Sequence, residues 1–284
     1  MLLQNLHTHT VFGDGKNTAE EMVLGAIRAG CASLGFSEHS PLPPAADPDG
    51  WSMAASDVAA YRAELLRLRE RYRGELDIFL GLEQDFDSPA PEGDWDYLIG
   101  SVHSVRADGR FLSVDESPEA FARSVREHFG GDSLAFAGAY YRRAAGSAEK
   151  TGCQVVGHFD LVAKFNEGGR FFDEAAPRYR RAALEALEAV MERDVIFEIN
   201  TGAISRGYRT APYPAPFLLW TIREKGGRVC ITSDSHSEST VTCAFDRAAD
   251  LAAECGFRET WILTAEGFRP AGLEELRRAR HRGR

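Results

Sequence analysis

Two histidines, His7 and His9, stand two residues apart behind a short apolar run, and Asp234 and His236 repeat that spacing far down the chain. Residues i and i+2 of an extended strand project from one face, so each pair can close on a single ion. Donors of the same kinds follow other apolar runs: Glu38-His39, Glu83, His103, and His158 with Asp160. Six of the eight histidines occupy such positions. One His-x-His pair says little, whereas nitrogen and oxygen donors recurring at six strand ends point to a centre of several metals. Imidazole with carboxylate suits divalent zinc, manganese or iron and suits thiolate-preferring ions poorly.

To converge, those strand ends must lie on one side of one sheet. Short apolar runs at 2–6, 33–36, 77–82, 97–102, 154–156, 195–199 and 228–232, with an eighth candidate at 259–263, alternate with helix-length amphipathic segments. The segments are 19–29, 56–72, 118–151, 177–193, 214–225 and 241–255. Such alternation is the pattern of a parallel sheet wrapped by helices, an α/β class. The first helix is predicted to open on a capping box, Thr18 with Glu21, and to stop at Gly30. The Pro-rich stretch 41–50 reads as a loop after the second strand. No repeat or low-complexity segment divides the chain, so residues 1–284 are predicted to form one domain. Seven or eight βα units would close as a barrel with its site at the C-terminal strand ends; an open doubly wound sheet would bind ligands at a switch point instead.

At 284 residues and 44% hydrophobic, the chain can bury a sizeable core. Its net charge of −10 argues against a broad nucleic-acid surface. The strongly basic stretch is 277–284, with arginines at 277, 278, 280, 282 and 284, and residues 270–284 are predicted to form a frayed tail. The five cysteines are scattered without CxxC spacing, which fits a reducing cytoplasm. Neither a signal-peptide pattern nor a run of roughly 18 apolar residues is visible, so neither export nor a membrane span is expected.

The strings His7-Thr8-His9-Thr10, Asp14-Gly15, Glu38-His39, Gly81-Leu82-Glu83, Ser101-Val102-His103, Gly157-His158-Phe159-Asp160 and Asp234-Ser235-His236 resemble the ordered motifs of the PHP (polymerase and histidinol phosphatase) family. The resemblance implies a distorted seven-stranded, TIM-like β/α barrel holding up to three metals in a cleft at one end. It implies that His7, His9, Glu83 and Asp234 bind one ion, and that Glu83 bridges to a second held by His103 and His158. Asp14, His39 and His236 would bind the third, with Asp14 standing where many members have histidine. A bridging carboxylate holds two cations about 3.5–4 Å apart, and a water shared between them becomes a nucleophile near neutral pH. The gain is chiefly electrostatic, because the ions also neutralise the phosphoryl oxygens. Asp160 is placed either as the acid that protonates the leaving alkoxide or as a group orienting a histidine ligand.

A strand-end Asn200 and a nearby Arg206 are expected to face the cleft, with the Arg206 guanidinium clamping phosphate and Arg209 a weaker candidate for that task. Lys164 and Asn166 could reach the phosphate as well. The segments 198–202, 213–216 and 12–18 resemble the histidinol-phosphatase branch, which releases phosphate from L-histidinol phosphate in histidine biosynthesis. Its substrate carries an ammonium and an imidazole, so an acidic wall is expected, and Asp85 could supply it. The partner is thus a small phosphate ester, with no nucleic acid or membrane expected. His128, His281 and the aromatics Tyr140, Tyr141, Phe217 and Trp220 read as packing or surface groups. Two rivals stand beside this reading: the same centre acting on nucleotides or nucleic-acid ends, and a barrel that binds metal without catalysis.

Overall fold

The computed structural model of the chain describes residues 3–274. Eleven strands form among them: β1 (Gln4–Asn5), β2 (Ser33–His39), β3 (Asp77–Asp85), β4 (Tyr97–Ser101), β5 (Ser104–Ala107), β6 (Arg110–Ser113), β7 (Val155–Val156), β8 (Ile196–Asn200), β9 (Arg228–Thr232), β10 (Glu259–Thr264) and β11 (Gly267–Gly272). Seven of them, in the order β1-β2-β3-β4-β7-β8-β9, make one parallel sheet. The sheet curls until its edges nearly meet. At the seam Thr8 bridges Ser235: His9 N–H donates to Ser235 O at 2.8 Å and Ser235 N–H to His7 O at 3.0 Å. One turn lower the Asn5 amide replaces a ladder, donating to Ser233 Oγ at 2.8 Å and accepting from Ser233 N–H at 3.0 Å.

Inward residues fill the barrel in layers, as a closed sheet requires. Leu6, Tyr97, Ile99, Val155, Ile196, Cys230 and Leu263 form its apolar floor. Tyr97 spans the interior, with its hydroxyl bonded to the carbonyl of Leu6. Two glycines make room for it, since a Cβ would stand 2.4 Å from the Tyr97 oxygen at Gly35 and 2.5 Å from its Cζ at Gly81. A larger apolar cluster joins the outer faces of the strands to the helices. The helix Ala19–Arg28 carries the predicted capping box, with Thr18 and Glu21 each bonded to the other's backbone N–H. Gly30 follows at φ +76°, which lets the chain turn back to β2.

Several predicted elements differ. The first run is regular only over Gln4–Asn5, because Leu6 and His7 both face the interior and a pleated strand cannot place successive residues on one side. The eighth candidate pairs antiparallel with β11 as a hairpin beneath the barrel, tied to β1 by Gln4 Oε1, which accepts from Leu263 N–H at 2.8 Å. The predicted helix 118–151 is three helices, Pro118–His128, Ser133–Ala144 and Ser147–Thr151. Gly130 and Gly131, at φ +59° and +85°, reverse the chain after the first. The β5–β6 hairpin lies in a stretch, 104–113, to which the sequence pattern assigns no element. Residues 270–272 belong to β11 and Leu273 is buried, so the predicted tail is ordered there, while its five arginines lie outside the described residues. Trp220, read as packing, is 53% exposed. No helix among the described residues is long and apolar enough to cross a membrane.

Candidate metal centre

Parallel register carries the donors to one mouth. The β2–β3 ladder sets His39 beside Glu83, and β3 sends Phe79, Gly81, Glu83 and Asp85 inward on alternate residues. Glu83 is the hub. Its Oε2 lies 2.7 Å from His39 Nδ1, 3.3 Å from His7 Nε2 and 3.6 Å from His9 Nε2. Its Oε1 lies 2.9 Å from His158 Nε2 and 3.3 Å from His103 Nε2. Asp234 Oδ1 faces His9 Nε2 at 3.3 Å and His7 Nε2 at 3.8 Å. Asp14 Oδ1 faces His236 Nε2 at 3.1 Å and His39 Nε2 at 3.6 Å.

All nine predicted ligands thus converge, in overlapping groups that could each hold an ion: His9-Asp14-His39-His236, His7-His9-Asp234, His7-Glu83-His158 and His39-Glu83-His103. His7 and His9 do close on one point, as their spacing predicted. Asp234 and His236 do not repeat that geometry. Strand β9 ends at Thr232 and Asp234 sits at φ +48°, so the chain turns and sends the two side chains to different groups. The donors fit a metal on a second count, because His7 Nε2, His9 Nε2 and Glu83 Oε2 are buried without a hydrogen-bond partner. Polar atoms so placed are costly unless a ligand meets them.

Electrostatics agrees. Burial would depress the His7 imidazole, but the carboxylates of Glu198, Glu83 and Asp234 outweigh it and hold its pKa well above the ordinary value. Burial works against His9 in the same way, yet Asp234 and Glu38 raise it to about 9. The Glu83 and Asp234 carboxyls go the other way, because surrounding His and Arg groups overcome the burial that would raise them. Protons therefore neutralise the cluster where a cation could do so.

A carboxylate stands behind several of the rings. His103 Nδ1 lies 2.9 Å from Asp85 Oδ2, His7 Nδ1 lies 2.8 Å from Glu198 Oε2, and His9 Nδ1 lies 3.3 Å from Glu38 Oε1. Glu38 also accepts from the backbone N–H and hydroxyl of Thr10, at 2.8 and 2.7 Å, which anchors the loop carrying Asp14. Gly13 is needed where that loop passes, since a Cβ there would stand 2.5 Å from Glu38 Oε1. Such partners fix the tautomer and orientation of a ligating imidazole.

Above the cluster lies a cavity of about 430 Å³. Its wall includes the candidate ligands Asp14, His39, His103, His158, Asp234 and His236 together with Trp51, Phe111, Asp115, Glu116 and Lys164. Arg206 lines it too, but its guanidinium is already engaged, Nη2 with Asp234 Oδ2 at 2.8 Å and Nη1 with Asp234 O at 3.1 Å. It braces a candidate ligand and has further N–H groups beside the cavity. Lys164 donates to Asp115 O and Oδ2 at 2.9 and 3.1 Å. Asp85 reaches the wall, yet its carboxylate is committed to His103 and to Asp87 N–H. Asp115 and Glu116 add acidic groups to the wall, the Asp115 carboxylate being paired with Lys164 and accepting from the Ser113 hydroxyl.

Four residues expected at the site are turned elsewhere. Asp160 is buried, and its Oδ2 accepts from Ala215 N–H at 2.8 Å; it contacts no histidine ring and lies outside the cavity lining, because the chain turns into a 3-10 segment at that residue. Burial raises its carboxyl to about 6. Asn166 spends its amide on its own loop, donating to Phe172 O and Glu174 Oε1 and accepting from Phe171 and Phe172 N–H. Asn200 donates to Glu198 Oε1 at 2.7 Å and accepts from Gly202 N–H at 2.8 Å. Arg209 likewise holds Ala163 O and Glu174. The residues that sequence reasoning missed are Asp115, Trp51 and Glu198. Trp51 sets its ring 4.6 Å from that of His39. Only Glu198 had a legible signal, a charge at an inward position of an otherwise apolar run.

A family model for the PHP domain matches residues 5–202. The chain is 31% identical over 262 residues to a Deinococcus radiodurans protein described as "Probable histidinol-phosphatase", covering 89% of this chain and 93% of the relative. It is 28% identical to the histidinol-phosphatase of Bacillus subtilis, over 84% of this chain and 96% of the relative. Among solved structures, the histidinol phosphate phosphatase of Lactococcus lactis, complexed with zinc, L-histidinol and phosphate, superposes with a TM-score of 0.71 at 20% identity, covering 94% of this chain and 98% of that one. That likeness bears on the fold.

Proposed function

Given that the chain belongs to the PHP domain family, we propose that it is a metal-dependent phosphomonoesterase that hydrolyses L-histidinol phosphate to L-histidinol and phosphate, in histidine biosynthesis. The observation that carries the reading is Glu83, a buried carboxylate ringed by five imidazoles, several of which line a cavity that also holds acidic groups. His7, His9, Glu83 and Asp234 would hold one divalent ion, Glu83 with His103 and His158 a second, and Asp14 with His39 and His236 a third. Zinc, manganese and iron all suit these donors. When bound, the ions supply Lewis acidity toward phosphate oxygens and a nucleophilic water.

The chain's own residues orient and select. Arg206 braces Asp234 and presents positive charge beside the metal ligands, where phosphate enters. Asp115 and Glu116 face the organic end of the substrate, where an ammonium and an imidazole need acceptors. Trp51 and Phe111 line the cavity too and suit a flat ring. This wall has more acidic than basic side chains, which favours a cationic amino alcohol over a nucleotide. A cytoplasmic location completes the reading, supported by cysteines scattered without CxxC spacing.

The test loads the protein with each metal in turn and measures phosphate release from histidinol phosphate beside a panel of nucleotides. Faster turnover of any nucleotide would overturn the proposed substrate.

A further inference from the structure

Strand β8 carries a buried carboxylate that belongs to none of the candidate metal groups. Glu198 is 1% exposed, and both of its oxygens are taken. Oε2 lies 2.8 Å from His7 Nδ1 and accepts the Thr232 hydroxyl at 2.8 Å; Oε1 accepts the His158 backbone N–H at 2.5 Å and the Asn200 amide at 2.7 Å. The strand lies between β7, which leads to His158, and β9, beyond which the seam brings His7. One side chain therefore grips two candidate ligands from opposite sides.

We infer that Glu198 is a positioning residue that holds His7 and His158 as ligands of the two ions gathered at Glu83, so that the affinity for those ions depends on it. The inference rests on the metal-dependent reading above. With an ion bound, a carboxylate at His7 Nδ1 would keep the one remaining ring proton there and turn the Nε2 lone pair to the side of Glu83 and Asp234, where Nε2 is buried without a hydrogen-bond partner. The same contact makes the ring a stronger donor to a cation. The bond to the His158 N–H fixes where that residue leaves its strand, and His158 Nε2 then stands 2.9 Å from Glu83 Oε1. A buried charge is tolerated when several donors satisfy it, and four do so here. Glutamine could fill the space, but its amide cannot offer two anionic acceptor oxygens. The outer group of Asp14, His39 and His236 takes its support elsewhere, with His236 Nδ1 at 3.1 Å from Asp234 O. The effect of Glu198 is therefore confined to the inner ions.

Zinc titration against a chromophoric competing chelator, without turnover, tests this on the wild-type protein, Glu198→Gln and Thr232→Val. In Glu198→Gln the two inner ions should bind about 10- to 100-fold more weakly, while the outer ion stays within about twofold. Thr232→Val leaves the carboxylate but removes one of its donors, and should weaken the same two ions by a smaller factor. Equal zinc affinities in wild type and Glu198→Gln overturn the inference. So does a uniform loss at every site together with a lowered melting temperature of the metal-free variant, which marks a merely structural role. Should Glu198→Gln fail to fold, unchanged inner-ion affinity in Thr232→Val overturns it alone. A wild-type protein that takes up no zinc, manganese or iron overturns the metal-dependent reading itself, and this inference with it.

Discussion

His39 uses both of its ring nitrogens: Nδ1 lies 2.7 Å from Glu83 Oε2, and Nε2 lies 3.6 Å from Asp14 Oδ1. The imidazole thus belongs at once to the group around Glu83 and to the group around Asp14. His39→Ala should disturb both, lowering metal content by more than one ion per chain and phosphatase activity by about 100-fold or more. Asp14→Ala touches only the outer group and should cost a single ion. Elemental analysis of the two variants side by side distinguishes the cases; equal losses would refute the shared role.

Removing the hub is more severe. Glu83→Gln keeps the shape but deletes the charge that five imidazoles surround, so activity should fall by about 1,000-fold or more. A rate near that of wild type, measured with metal in excess, would rule out a bridging role.

The pH dependence has a definite sign. In the folded, metal-free protein His9 holds its proton to about pH 9, against an ordinary value of 6.5, since Asp234 and Glu38 overcome the effect of burial. The stability from these pairs is complete below pH 6.5 and is lost as pH rises through about 9. A cation must displace that proton, so metal binds more tightly as pH rises through the same window. The gap in melting temperature between metal-loaded and chelator-treated protein should therefore widen from pH 6.5 to 9. Thermal denaturation in matched buffers measures it, and a narrowing gap would contradict the account.

Asp115→Asn separates recognition from chemistry. The carboxylate lines the cavity and belongs to none of the candidate metal groups, so KM for histidinol phosphate should rise about tenfold or more, the value of one hydrogen bond to a charged group. KM for an uncharged aryl phosphate should stay within about twofold. A parallel rise for both substrates would place Asp115 in the phosphate site.

Gly81→Ala tests the barrel floor. Its Cβ would meet Tyr97 at 2.5 Å, and overpacking of this kind destabilises by about 1–3 kcal/mol. Chemical denaturation should show the loss in wild-type background and a smaller one when Tyr97 is also replaced by Leu.

Much of the centre was legible because barrel strands present ligands at predictable ends. Eight of the nine candidate ligands follow an apolar run, Asp14 in its Gly-flanked turn being implied by the family resemblance alone, and a parallel sheet brings such ends together whatever the details of the helices. Asn166, Asn200 and Asp160 were misread for one common reason. Position after a strand end does not say whether a side chain turns toward the cavity or back onto its own backbone, and each of these finds backbone N–H groups to satisfy. Asp115 was invisible because it sits beyond the β5–β6 hairpin, in a stretch whose pattern resembles connection. The break of 118–151 hung on two glycines that helical periodicity outvoted.

The Thr8–Ser235 seam bears on how the centre comes into being. Asn5 and Ser233, which close the barrel beside it, are 228 residues apart in sequence, so joining them fixes a loop whose closure entropy is about 5 kcal/mol. His7 and His9 lie on one lip of that seam, and Asp234 and His236 on the other. A chain emerging from the ribosome carries the first pair long before the second, and cannot complete the ion group shared by His7, His9 and Asp234 until nearly all of it has been made. An ion held at that group would act as a clasp across the seam, joining from side chains the same two lips that the backbone bonds of His7, His9 and Ser235 already close.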